Sequence, residues 1–180
     1  MTTMFAELLK ARQASATSPS VYIPKRKMPE GSRFEIEFRT VKHCGDGEEE
    51  RGVDNYTTRW AGTLYCVLGD DEKRIEAGSI SCVKIHSHNI GNDTGERQMG
   101  LFLDPISQEL HELGTFLDRC EKVEDCREEL QGDVLYVQRV AVGERFRGLG
   151  LGLFMLDMAD NTLNSSMSLM VLVPCPLEAG

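Results

Sequence analysis

Apolar and polar residues alternate with period two through RFEIEFRTV, Arg33 to Val41. Phe34, Ile36 and Phe38 fall on one side, and Glu35, Glu37 and Arg39 on the other, as expected of a strand with one buried face. Two more runs rich in β-formers follow, RWAGTLYCVLG from Arg59 and RIEAGSISCVKIHS from Arg74, with DDEK between them. They predict a hairpin. The period then lengthens in DPISQELHELGTFLDRCEKV, where Ile106, Leu110, Leu113 and Leu117 share one stripe of a helix. Asp104 ahead of Pro105 predicts an N-cap with proline at the first helical position. The glycine-and-acid cluster HCGDGEEERGVDN and the stretch NIGNDTGERQMG predict exposed loops.

The last third reads as strand, turn, helix, strand. VLYVQRVAV, Val134 to Val142, is a long apolar strand, and GERFRGLGLG is a turn. LFMLDMADNTLN predicts a helix with Gly152, Leu156, Ala159 and Leu163 on one face and Asp157, Asp160, Asn161 and Asn164 on the other. SLMVLVP is a final buried strand stopped by Pro174. A strand, helix and strand within about 40 residues form a βαβ unit and call for parallel neighbours in the sheet. Ahead of all this, residues 1–32 hold a short helical pattern, MFAELLKAR, and a polar linker, QASATSPS. The expectation is one α/β (α+β) domain over 33–180, a mixed central sheet flanked by helices.

Composition narrows the function. The 180 residues, 41% apolar and 27% charged, suit one globular domain. A net charge of −9 should repel nucleic acid and anionic membranes, so neither is an expected partner. No segment approaches the roughly 20 apolar residues that span a bilayer. Met1 to Ser20 lacks the basic start and apolar core of a secretory signal. A cytoplasmic location is expected. The six cysteines show neither zinc spacing nor a CxxC pair, and read as reduced thiols. His86 and His88 in KIHSHN share one strand face and could join His43 and Cys44 around a metal. No carboxylate motif accompanies them, however, and His111-Glu112 lacks the second histidine of the metalloprotease signature. No metal site is expected.

RFRGLGLGLFML, Arg145 to Leu156, carries the distinctive chemistry. Glycine is costly in a helix, yet three glycines alternate here with leucines just where a helix should begin. A helix start exposes unpaired N–H groups and a partial positive charge, and so receives anions. Glycines let a phosphate approach the backbone and permit turns in which successive N–H groups converge. Arg145 and Arg147 add fixed charge suited to phosphate oxygens. Val134 to Leu156 holds Arg139, Arg145 and Arg147 against the single acid Glu144, a positive segment in an acidic chain. The P-loop needs a Gly-Lys pair that is absent, and the dinucleotide fingerprint needs GxGxxG directly after a strand.

The pattern that fits is Arg-x-x-Gly-x-Gly, filled by Arg147, Gly148, Leu149, Gly150, Leu151 and Gly152, between a strand ending RVAV and an amphipathic helix. It resembles the acetyl-CoA motif of the GNAT (GCN5-related N-acetyltransferase) superfamily over residues 134–177, a quarter of the chain. The resemblance implies a GNAT-like fold and an acyltransferase that moves acetyl from acetyl-CoA to an amine, small molecule or peptide. It implies that amides of Arg147 to Gly152, with Arg145 close by, hold the pyrophosphate. The backbone of Val140, Ala141 and Val142 would pair with pantetheine and offer an N–H to the thioester oxygen, and the final strand would splay away to admit that arm.

The chain also departs from the family. Its usual two helices between the first and second strands are replaced by a polar loop, while a helix lies between the third and fourth strands. The later helix, which often carries a tyrosine that protonates the leaving thiolate, and two final strands have no counterpart. This leaves a homodimer that completes the fold, or a CoA-binding or interaction module without turnover, as alternatives to an enzyme. Asp104, His111, Glu112 and Tyr136 are candidate bases, but Asp104 reads better as a helix cap, His111 and Glu112 as a solvated face and Tyr136 as core. Gln138 and Arg139 interrupt the apolar strand, either lining a cleft or marking a sheet boundary. The catalytic residues are therefore left unassigned.

Overall fold

The computed structural model describes residues 31–41, 56–68, 73–94, 98–122, 132–163 and 169–172. These form a five-stranded mixed sheet with helices on both faces. The strands are β1 (Arg33–Val41), β2 (Thr57–Leu68), β3 (Lys73–Ile85), β4 (Val134–Val142) and β5 (Leu169–Leu172), and they lie side by side in chain order. β1, β2, β3 and β4 run antiparallel in turn, and β5 joins β4 in parallel. The described helices are α1 (Ser87–Thr94), α2 (Met99–Leu103), α3 (Gln108–Glu121) and α4 (Leu151–Leu163), with a single 3-10 turn at Glu144–Phe146. The alternation read in Arg33–Val41 and the strand at Val134–Val142 hold to the residue. The expected helix and linker in 1–30, the loop HCGDGEEERGVDN and the tip of the hairpin lie outside the described residues.

Strand period two divides the sheet into two faces. One packs Phe34, Ile36 and Phe38 of β1 with Leu64, Cys66, Ile80, Cys82, Leu135 and Val137, and α4 covers it. α4 presents Leu151, Met155, Ala159 and Leu163, spaced by four along one side of the helix. This shifts the expected stripe by one residue at its start: Gly152 and Leu156 are only half-buried, because the turn before the helix commits Leu149 and Leu151 to the core. The expected final strand is present but shorter than read. It lies at the edge of the described sheet with Leu172 exposed, since a chain paired on one side only cannot be fully covered.

The opposite face packs Val83, Ile85, Val134 and Tyr136 against Ile90, Met99, Leu103, Leu110, Leu113 and Leu117. Each such side chain contributes about 1.5–3 kcal/mol on burial. That gain overrides the weak local propensity of NIGNDTGERQMG, which holds α1 and the start of α2 where loop was expected. Asp118 of α3 receives the amides of Met99 and Gly100 at 2.8 and 3.0 Å, so it caps α2 from another helix.

The cap of α3 also differs from expectation. Asp104 ends α2, with its own amide donating to Gly100 O. The chain keeps turning through Ile106, whose amide donates to Leu103 O, and becomes extended only at Ser107, φ −171° and ψ 152°. Ser107 Oγ accepts from Leu110 N at 3.2 Å and is the N-cap. Proline at the first helical position gave the wrong start because the preceding residues already belonged to a helix.

Candidate anion-binding loop and sheet edge

The glycine loop leaves the top of β4 and returns as α4. Gly143 N donates to Ala77 O at 2.9 Å, which fastens the strand end to β3. The 3-10 turn follows, with Phe146 N donating to Gly143 O. Gly148 and Gly150 then adopt φ of +77° and +74°, a left-handed backbone that a side chain would strain. Leu149 between them is 2% exposed and anchors the loop in the core under α4. The loop is thus pinned at its centre and bare on both sides.

Its amides are available. Phe154 N is the first of the helix to donate, to Gly150 O at 3.1 Å. Among the described residues, no backbone carbonyl accepts from the amides of Gly148 through Leu153. A Cβ built on Gly148 would meet nothing within 4 Å, and one on Gly152 would meet only Val140 Cγ1 at 3.9 Å. Arg145 and Arg147 are exposed at the loop's start with no ion pair among the described residues. Arg147 is partly held, its Nε donating to Val142 O at 3.4 Å. Six consecutive donors, a helix start and two guanidiniums without an ion pair among the described residues can together hold an anion with several oxygens.

Val140 and Val142 send side chains into the core beneath α4, while Ala141 faces the other way. Their outer backbone edge is the second feature. β5 pairs with Val134–Val137 and no farther, so among the described residues the stretch Gln138–Val142 has no strand beyond it. A β-bulge sits where this opening begins: Val137 opposes Cys82 and Arg139 opposes Ser81, leaving Gln138 unmatched. The bulge keeps Val140 in the core and turns Arg139 to the opposite face. The interruption of VLYVQRVAV at Gln138 and Arg139 was the sequence signal for it.

The candidate bases are engaged elsewhere. His111 Nδ1 lies 2.9 Å from Gly100 O and 3.4 Å from Asp104 Oδ1, on helices across the sheet from α4. Glu112 is exposed and accepts from Gln108 Nε2. Tyr136 is buried, and its hydroxyl donates to Glu109.

His86 does have a carboxylate neighbour, Asp133, which lies 3.4 Å from its Nδ1, 3.5 Å from His88 Nδ1 and 3.3 Å from Lys84 Nζ. Even so, no three His, Cys, Asp or Glu side chains gather as metal ligands among the described residues. His43 and Cys44 lie outside them. No described helix is long and apolar enough to cross a membrane.

No protein-family model, no curated protein and no solved structure matches the chain. The described residues form a mixed α/β protein in which a glycine-rich loop lies beside a strand edge left open among those residues.

Proposed function

We propose that the chain is an acyltransferase of the GNAT type that transfers acetyl from acetyl-CoA to an amine. The observation that carries this reading is the adjacency of two features among the described residues: amides from Gly148 to Leu153 that no backbone carbonyl accepts from, and a β4 edge that no strand pairs from the Gln138 bulge onward. A diphosphate joined to a linear amide chain is a ligand that needs both at once. The loop, Arg145 and Arg147 suit the diphosphate. The edge from Val140 to Val142 suits amide groups, which pair with a strand as another strand would.

Bound acetyl-CoA would supply an activated thioester. The chain's part is to hold that ester's carbonyl oxygen against a β4 amide, which stabilises negative charge as an amine attacks the carbonyl carbon. The new C–N bond forms, the C–S bond breaks to release a thiolate, and the proton lost by the amine ends on that thiolate to give the free thiol. Direct attack requires no covalent enzyme intermediate.

A second reading is a CoA-binding module without turnover. It is favoured by the hydrogen bonds that tie His111, Glu112 and Tyr136 to partners on the other face.

Two measurements test these. Calorimetry with acetyl-CoA should give saturable binding that Gly150→Glu and Arg145→Glu/Arg147→Glu each weaken strongly. No heat and no competition with CoA would overturn both readings. Thiol release from acetyl-CoA across a panel of amines and peptides then separates them, since release with any amine requires the enzyme and binding without release requires the module.

A further inference from the structure

The sheet face turned away from α4 carries a charge pattern that the cofactor loop does not use. The register places Arg39, Ala61, Ser81 and Arg139 in one row across β1, β2, β3 and β4. Alternation fixes their common side, because Phe38, Trp60, Ile80, Cys82 and Val140 on either side of them belong to the α4 core. Arg139 reaches this face only through the Gln138 bulge; without it, strict alternation after Val137 would send Arg139 into that core. Small residues fill the middle of the row and an arginine stands at each end. Strand spacing sets the two arginine Cα atoms about 14 Å apart, a span across which two such long side chains can lean onto one anion.

The neighbouring rows separate matched from unmatched charge. In one direction Glu37, Thr63, Ser79 and Ala141 follow, then Glu35, Tyr65 and Glu76. The β1 carboxylates here are matched: Arg74 Nη2 lies 2.7 Å from Glu37 and 3.7 Å from Glu35, stacks over the Tyr65 ring, and Arg33 bonds Glu35. In the other direction stands Arg59, between Val41 and Val83 in a row that ends at Tyr136. Among the described residues its Nε is buried with no hydrogen-bond partner, a costly state for a donor of a charged group. Among the described residues Arg39, Arg59 and Arg139 have no carboxylate partner. Three unmatched guanidiniums on one face, in a chain of net charge −9, are arranged for an anion.

We propose that this face, floored by Ser81 and Ser79 and flanked by Arg39, Arg59 and Arg139, binds an anionic group, so that the acceptor amine also carries a carboxylate or phosphate. The anion site stands on its own geometry; its assignment to the acceptor rests on the acyltransferase reading. That assignment follows from position, since α4 and the glycine loop take one face of β4 while Arg139 holds the other beside the same open edge. An acceptor fixed there by its anion would present its amine to the edge from the side opposite the cofactor loop.

The test is a titration of ¹⁵N-labelled full-length protein with inorganic phosphate, and separately with succinate, at constant ionic strength. The expected result is saturable shifts of the Ala61, Ser81 and Arg139 amides and of the Arg59 Nε–H signal. The ion with the stronger response identifies phosphate or carboxylate as the preferred group. Arg39→Gln/Arg139→Gln should weaken this response about tenfold or more, whereas Arg145→Gln/Arg147→Gln should leave it in place. Both exposed pairs should tolerate substitution, as unchanged melting would verify. Shifts confined to Arg145–Leu153, or absent altogether, would overturn the anion site and leave the cofactor reading untouched. A saturable response here with no CoA binding at the loop would retain the site and remove its link to acyl transfer. Where an amine is turned over, its acidic form should be preferred to its neutral amide, and that preference should vanish in Arg39→Gln/Arg139→Gln; equal rates would overturn the assignment to the acceptor.

Discussion

His86 and Asp133 lie 47 positions apart in sequence and 3.4 Å apart in space, with the far ring nitrogen of His86 2.8 Å from Thr58 Oγ1. The imidazole therefore ties the start of β2 to the residue before β4. Lys84 and His88 crowd the same carboxylate, and Lys84 also donates to Leu163 O at the end of α4. Burial pushes the Asp133 carboxyl up, but hydrogen bonding and charge from Lys84, then His86 and His88, outweigh it and hold the group below its ordinary range. A carboxylate depressed in the folded state contributes stability that is fully present above its unfolded pKa, about 3.9, and is lost as pH falls through the lower folded value. Melting temperature followed from pH 7 down to pH 2 should show an acid limb below about pH 4. Asp133→Asn should be less stable at pH 7 and should flatten that limb. An unchanged limb in the variant would move the acid sensitivity to other carboxylates.

This junction shows what the sequence could and could not disclose. Strands read directly, because period two in RFEIEFRTV is written by neighbours in the chain. The glycine loop was equally legible, since Arg147, Gly148 and Gly150 are local. Asp133 was invisible beside KIHSHN because the fold, and no motif, brings it there. The same holds for α1 and α2, which exist because Ile90, Met99 and Leu103 find a distant core, and for the arginine face, whose members come from β1, β2 and β4. Gln138 and Arg139 were noticed as an interruption, but a bulge is a property of the pairing between two strands.

The two rival caps of α3 make a clean comparison. Ser107 Oγ accepts from Leu110 N, whereas Asp104 closes α2 and only approaches His111. Ser107→Ala should cost about 1 kcal/mol in denaturant unfolding. Asp104→Ala, at an exposed position, should stay within about 0.5 kcal/mol. The reverse order would return the helix start to Pro105.

Burial also sets cysteine reactivity. It pushes the Cys82 thiol up to about 11 and raises Cys66 as well. Since the thiolate is the reactive form, Cys82 should resist iodoacetamide at pH 8 in the folded protein and react once the chain is unfolded. Peptide mass mapping reads this site by site. Alkylation of Cys82 at native rates comparable to Cys120, which is half-buried, would indicate that the β2–β3 core opens locally.

The glycines of the loop are needed for different reasons, and substitution separates them. At Gly148 nothing stands near a Cβ, so Gly148→Ala meets only the left-handed backbone, a cost of roughly 1–2 kcal/mol. Gly150 shares that left-handed backbone, so Gly150→Ala should cost at least as much. Gly152 is helical, with φ outside the left-handed region, and its Cβ would make only ordinary contact with Val140. Gly152→Ala should therefore leave stability unchanged or raise it by up to about 1 kcal/mol. A phosphate lying on the amides would nevertheless meet that methyl. The expected signature is a variant as stable as the parent, or more so, that binds CoA more weakly by calorimetry. If Gly152→Ala binds CoA as tightly as the parent, the phosphates cannot lie against the first turn of α4 and must sit nearer Arg145.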